Sequence, residues 1–136
     1  MSVSNVINAS IWSTLTAGTA LIASLGGTAI YHLEKTDNAT YPLVIYNIQT
    51  GSPLNQNPSD LRDVLVQVRA YSTDSAAQAG TIDAQCSTLL HKQTLSVTGY
   101  TNYKTVRETD IELVETLPSG AKIYSEGALY RISLDS

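Results

Sequence analysis

The run Leu61-Arg-Asp-Val-Leu-Val-Gln-Val-Arg-Ala-Tyr71 decides the fold. Val64, Val66, Val68 and Ala70 fall on one side of an extended chain, while Leu65, Gln67, Arg69 and Tyr71 fall on the other. That period of two belongs to a strand with one face in a core. Working outward, the closing segment repeats the pattern, with Tyr130, Ile132 and Leu134 alternating with Arg131, Ser133 and Asp135. Runs rich in Val, Ile, Leu and Tyr at 28–33, 41–50, 104–116 and 123–134 read as further strands. Pro42 suits the start of its strand, where a missing amide breaks no ladder. Leu117-Pro-Ser-Gly120 is turn chemistry between the last two strands.

The flanking segments carry helical spacing instead. Val3, Ile7, Ile11 and Leu15 recur one turn apart, with Val6 and Trp12 widening the stripe, so Trp12 is assigned to the core. Gly18 stops this helix, and Thr19 restarts a short second piece that ends at Gly26-Gly27, giving a bent helical pair. A later helix, capped by Thr73 or Asp74, buries Ala79, Ile82, Cys86, Leu89 and Leu90 opposite Gln78, Thr81, Gln85 and Lys92. Gly51 to Asp60, full of Pro, Asn and Ser, cannot supply an apolar face and reads as an exposed loop or extended arm. The element order predicts an α+β fold in one domain spanning 1–136, with a mixed or antiparallel sheet of about five strands and two main helices on one face.

Bulk properties narrow the function. A chain of 136 residues with 43% apolar and 15% charged content has the means to close one core. Its net charge is −4, and its basic residues are scattered from Lys35 to Arg131, which argues against gripping nucleic acid. The lone Cys86 excludes an internal disulfide. No basic residue precedes the first apolar stretch, so a signal peptide is not expected. Leu15 to Leu25 is too short and too interrupted to span a bilayer, and no membrane partner is expected.

Reactive constellations are sparse. His32 and His91 stand on different elements without ligand spacing to Cys86 or a carboxylate. Glu108, Asp110 and Glu112 alternate, which places them on one face of a strand with Ile111 and Leu113 on the other. Three carboxylates there could meet a hard cation, but a solvated face is the stronger reading because no calcium-loop pattern accompanies them. No Gly-x-Ser-x-Gly elbow or phosphate-cradling loop occurs, and Gly26-Gly27 precedes a strand rather than a helix. Asn8-Ala-Ser10 and Asn38-Ala-Thr40 match the glycosylation pattern only as chance spacings in a Ser/Thr-rich chain. Cys86, in the apolar stripe, reads as structural. No catalytic residue, metal or cofactor is assigned. Tyr100 and Tyr103, in a polar stretch, are candidate contact residues.

The order of blocks resembles the tail-terminator or tail-completion family of long-tailed bacteriophages. The carriers are the helical pair 11–26, Ala29-Ile-Tyr31, the proline-led Tyr41-Pro-Leu-Val-Ile-Tyr46, the strand Asp63–Tyr71 ending in Ala-Tyr, and the closing Gly127–Leu134. Gln93 to Arg107 follows none of these blocks. The resemblance implies a non-enzymatic virion subunit, made in the host cytoplasm and carried in the tail. It implies a hexameric ring that caps the head-proximal end of the tail tube, ends its growth and presents a surface to the head-tail connector. Its partners would then be further copies of itself, the tube protein and connector proteins, with DNA passing through unbound. An arm over 52–60 is expected to reach a neighbour through Ser52, Pro53, Leu54, Asn55, Gln56, Asn57 and Pro58, and the strand at 123–134 or 41–50 to offer an edge to a neighbour or to the tube. Glu108, Asp110 and Glu112 are the candidate lumen residues. The alternatives are another connector or minor tail protein or, from other classes, a small enzyme or a carbohydrate- or peptide-binding module.

Overall fold

A computed structural model describes residues 3–36, 39–55 and 60–135. Three helices, α1 (Val3–Thr16), α2 (Thr19–Leu25) and α3 (Ala76–Leu90), accompany six strands. The strands are β1 (Ile30–His32), β2 (Leu43–Asn55), β3 (Asp60–Ser72), β4 (Ser96–Val97), β5 (Tyr100–Thr116) and β6 (Lys122–Asp135). They form one sheet in the order β1-β2-β3-β6-β5-β4, parallel only between β1 and β2. The expected α+β class and mixed sheet are present. The extra strand is β4, a two-residue partner of β5 made by the turn through Gly99, whose φ of 84° suits glycine.

The helices pack on one face. Val64, Val66, Val68 and Ala70 of β3 lie beside Ala128, Tyr130, Ile132 and Leu134 of β6, all buried beneath Ile7, Ile11, Leu15, Ile82, Cys86 and Leu90. Gly18 breaks α1 from α2 at a bend of 80° because it packs against α3: a Cβ there would stand 2.5 Å from Leu89 Cδ1. Gly26, at φ 74°, closes α2 while the Gly27 amide donates to the Ile22 carbonyl at 3.2 Å. Among the described residues no single helix is long and apolar enough to cross a membrane, and the stripe of the bent pair faces the core.

Four sequence expectations are corrected. Trp12 is 46% exposed, because the buried stripe of α1 is Val6, Ile7, Ser10, Ile11 and Leu15, and Trp12 sits one position round the helix. The cap of α3 is Ser75, whose hydroxyl accepts the Gln78 amide at 3.1 Å, while the buried Ser72 hydroxyl accepts the Asp74 amide. Ser52–Asn55 are not loop: they continue β2, paired in register with Asp63–Asp60. Backbone pairing outweighs composition there, and Pro53 is tolerated because β1 pairs with β2 only at Val44–Tyr46 and no described strand lies beside Pro53 on that side. Gln56, Asn57 and Pro58 lie outside the described residues. Finally, β6 offers no edge, since it pairs along its length with β3 on one side and β5 on the other.

The segment 93–107 is organised by one buried amide. Asn102 accepts from the Leu95 amide at 2.8 Å and from Thr105 Oγ1, and donates to the carbonyls of Lys104 and Ser133. These bonds satisfy the polar groups that the register shift between Asn102 and Lys104 exposes.

Gly127 fixes how closely β6 approaches β3, for a Cβ there would stand 2.2 Å from the Val68 carbonyl oxygen and 2.7 Å from Arg69 Cα. Both neighbours are backbone and cannot swing aside. Gly127→Ala is expected to cost on the order of 3 kcal/mol, read as a melting temperature lower by roughly 10 °C. An unchanged melting temperature would show that the strands are not held this close.

Candidate functional site

With one face of the sheet under helices, its other face and its two lateral edges are what the fold leaves for contact. On the uncovered face Arg131 is centrally tied. Its Nε donates to Glu108 Oε1 at 2.6 Å and its Nη1 reaches Asp63 Oδ2 at 3.5 Å, while Ser133 donates to the other Asp63 oxygen. The Arg131 hydrogen bond holds the Glu108 carboxyl below its ordinary range. Arg69 donates to Ser125 Oγ at 2.7 Å and lies over the Tyr71 ring. Arg69 and Arg131 are thus spent on neighbours within this face, which also carries the exposed Lys104 opposite Ser133.

The three alternating carboxylates do not share a face. Spacing by two keeps side chains together only along an uninterrupted ladder, and the register of β5 shifts between Arg107 and Thr109. Glu108 sits at that bulge and turns to the uncovered face. Asp110, opposite Ala128, and Glu112, opposite Glu126, lie on the helix side of the sheet. Asp110 accepts from Arg107 Nε at 2.7 Å. Among the described residues no three His, Cys, Asp or Glu side chains converge as a metal site requires.

Arg107 clamps β5 to α3. Its two terminal nitrogens donate to both oxygens of Asp83 at 3.0 and 2.8 Å, Nη1 also reaches Tyr130 Oη, and Nη2 the Gly127 carbonyl. The bidentate pair holds Arg107 protonated well above its ordinary value. Beside it the loop after α3 seals the outer side of β5, for His91 Nδ1 accepts the Arg107 amide at 2.9 Å and the Lys92 amide donates to the Thr105 carbonyl at 2.7 Å. An open groove of about 550 Å³ follows this junction, lined by Asp83, Ser87, His91, Gln93 and Arg107. A second cleft of about 410 Å³ lies where the turn into α2 meets α3, lined by Gly18, Ala20, Leu21, Gln85 and Leu89. Cys86 is buried among apolar side chains, and burial pushes its thiol up to about 12, the state of an inert cysteine.

Of the two candidate contact tyrosines, Tyr103 is 56% exposed, whereas Tyr100 packs partly buried against the core margin. His32 stacks obliquely on Tyr46 beside β1. Sequence reasoning missed the Arg107 clamp and the exposed apolar tip of β5. An arginine and an aspartate 24 positions apart carry no common signal. Leu113, Val114 and Leu117, by contrast, were visible as large apolar residues in a stretch otherwise polar.

The architecture is that of a small helix-covered sheet without an enclosed reactive centre among its described residues. A family model described as "Tail completion protein gp17" matches residues 9–135. The chain belongs to that family, and is thereby a structural component of a phage-type virion tail. No curated protein matches the sequence significantly. Among solved structures, a chain described as part of the "Virion of native gene transfer agent (GTA) particle" is similar, with a TM-score of 0.75 over 99% of this chain and 98% of that one. At 14% identity the likeness is one of fold.

Two measurements check this electrostatic description. Arg107→Met leaves the Asp83 carboxylate unpaired at 13% exposure, and is expected to cost about 2–3 kcal/mol in denaturant unfolding, below the value for a fully buried pair. A loss under about 0.5 kcal/mol would mean the clamp is a surface pair. Glu126 has its pKa raised, first by burial and then by the hydrogen bond and charge of Glu112 across the ladder. The folded state therefore favours its protonated form. Its contribution is complete below the ordinary value of 4.5 and is lost as pH climbs through the raised one. The melting-temperature advantage of Glu126→Gln over the native chain should grow from about pH 4 to about pH 7. An advantage that is flat or shrinks over that range contradicts the assignment.

Proposed function

We propose that the protein is the repeating subunit of a closed, hexameric ring at the head-proximal end of a tail tube, where it ends tube growth and joins the tail to the head-tail connector. The match to the tail completion family across nearly the whole chain carries this reading. The geometry supports it. A ring subunit needs two dissimilar lateral surfaces, each fitting the other on the next copy, and β2 and β5 give the sheet unlike margins. Work of this kind is done by shape rather than by a reactive group, so the role is non-enzymatic.

The uncovered face of the sheet is the surface assigned to the lumen. Arg69 and Arg131 are engaged by Ser125, Glu108 and Asp63, which leaves the exposed Lys104 on this face but no cluster of cations to hold a phosphate backbone. DNA would slide past such a wall. Glu108 keeps its lumen assignment, while Asp110 and Glu112 belong to the helix side near the β5 margin. The partners are further copies of this chain, the tube protein at one end and connector proteins at the other.

Particles assembled without the protein test the role. Negative-stain electron microscopy is expected to show tubes that overrun their normal length and remain separate from filled heads. Joined heads and tails of ordinary length would rule out the capping role and favour another position in the neck.

A further inference from the structure

The two margins of the sheet are each half sealed, and the open halves lie on a diagonal. On β5, β4 pairs with residues 100–101 and the His91–Lys92 loop closes the backbone at Thr105 and Arg107. From 108 to 116 no described residue pairs with its outer side. On β2, β1 covers residues 44–46 and the Leu33 amide takes the Tyr46 carbonyl, leaving 47–55 open among the described residues. In the β2 stretch the part able to pair runs from 47 to 52, because Pro53 has no amide to donate. Across the ladder Asn47 stands level with Gln67, Leu129 and Thr109, so one stretch runs from that level toward one end of the sheet and the other toward the opposite end.

Resting on the ring reading, we propose that neighbouring subunits are joined by an intermolecular ladder in which β2 residues 47–52 of one copy pair along β5 residues 108–116 of a second copy, the ladder ending at Pro53, which has no amide to donate. The strand directions fit. β2 and β5 run opposite ways within the sheet, and rotation about a ring axis preserves direction, so the two meet antiparallel. The diagonal fits as well. Bringing the open halves level displaces each sheet along its strands relative to the next, and that stagger is what strand tilt in a closed barrel supplies.

Composition selects this pairing over self-pairing. The open stretch of β5 holds Glu108, Asp110, Glu112 and Glu115 with no basic residue, so two such edges would set carboxylates against each other. From Leu43 to Asn55, β2 has no charged residue at all. The same β5 stretch exposes Leu113 at 51% and Val114 at 57%, apolar area of a kind that lone edge strands avoid and that a neighbouring strand would cover.

Cysteine pairs on the uncovered face, Thr50→Cys combined in turn with Thr109→Cys, Ile111→Cys or Leu113→Cys, test the contact in purified tails treated with a short bis-maleimide. The native chain is a silent control, because Cys86 is buried. At least one double variant should give a denaturing-gel ladder that stops at the copy number of the ring, with no cross-link from any single variant. Rings present by native mass measurement but no cross-link from any of the pairs would overturn the ladder while leaving the ring intact. Dimers from Leu113→Cys alone would overturn it in favour of β5 self-pairing. Absence of rings under every condition would remove the ring reading itself.

Discussion

Two strands with single-sided apolar faces, packed side by side, are the constraint on which the remainder of the molecule depends. Val64, Val66, Val68 and Ala70 of β3 and Ala128, Tyr130, Ile132 and Leu134 of β6 form one continuous buried surface, possible at this separation because residue 127 has no side chain. A surface of that width has to be covered, and α1, α2 and α3 cover it from one side only. The cost of one-sided cover is an opposite face that cannot be apolar throughout. It is met with Arg131, Glu108 and Asp63 tied together rather than with a second layer of helices.

The proposed assembly draws on that asymmetry. A sheet closed on both faces and blocked at both margins would be a self-sufficient monomer, whereas here β1 and β4 are short and seal only part of each margin. The Arg107–Asp83 clamp and the His91–Lys92 loop keep the inner half of β5 attached to α3, and the outer half continues as a strand paired with β6 rather than as a loop. A segment already in strand form has less ordering cost to meet on pairing with a neighbour. The bulge at Glu108 lies at the boundary between the sealed and open halves, as bulges commonly do at sheet margins.

Much of this was legible in the residues, for reasons that differ by element. The period-two runs around Val66 and Ile132 and the helical spacing of Ile7, Ile11 and Leu15 record burial directly, so strands, helices and the covered face could be read. Trp12 could not, because a helical position one step from the stripe is decided by what packs beside it. The grouping of Glu108 with Asp110 and Glu112 failed because a bulge leaves no mark on local composition. Ser52–Asn55 looked like loop from their side chains, yet are strand because their backbone has a partner in Asp60–Asp63. The margins are a matter of strand order, and order is set by long-range pairing that no local window contains: β6, last in the chain, is central in the sheet.

The central claim is that unlike margins of one small folded body close a circle. A cryo-electron-microscopy map of the neck of the intact particle tests it most directly. The expected map shows one closed ring of this chain between tube and connector, with each sheet running into the next and the uncovered face toward the channel. A single copy in the neck, or copies whose helices line the channel and whose sheets never touch, would contradict it.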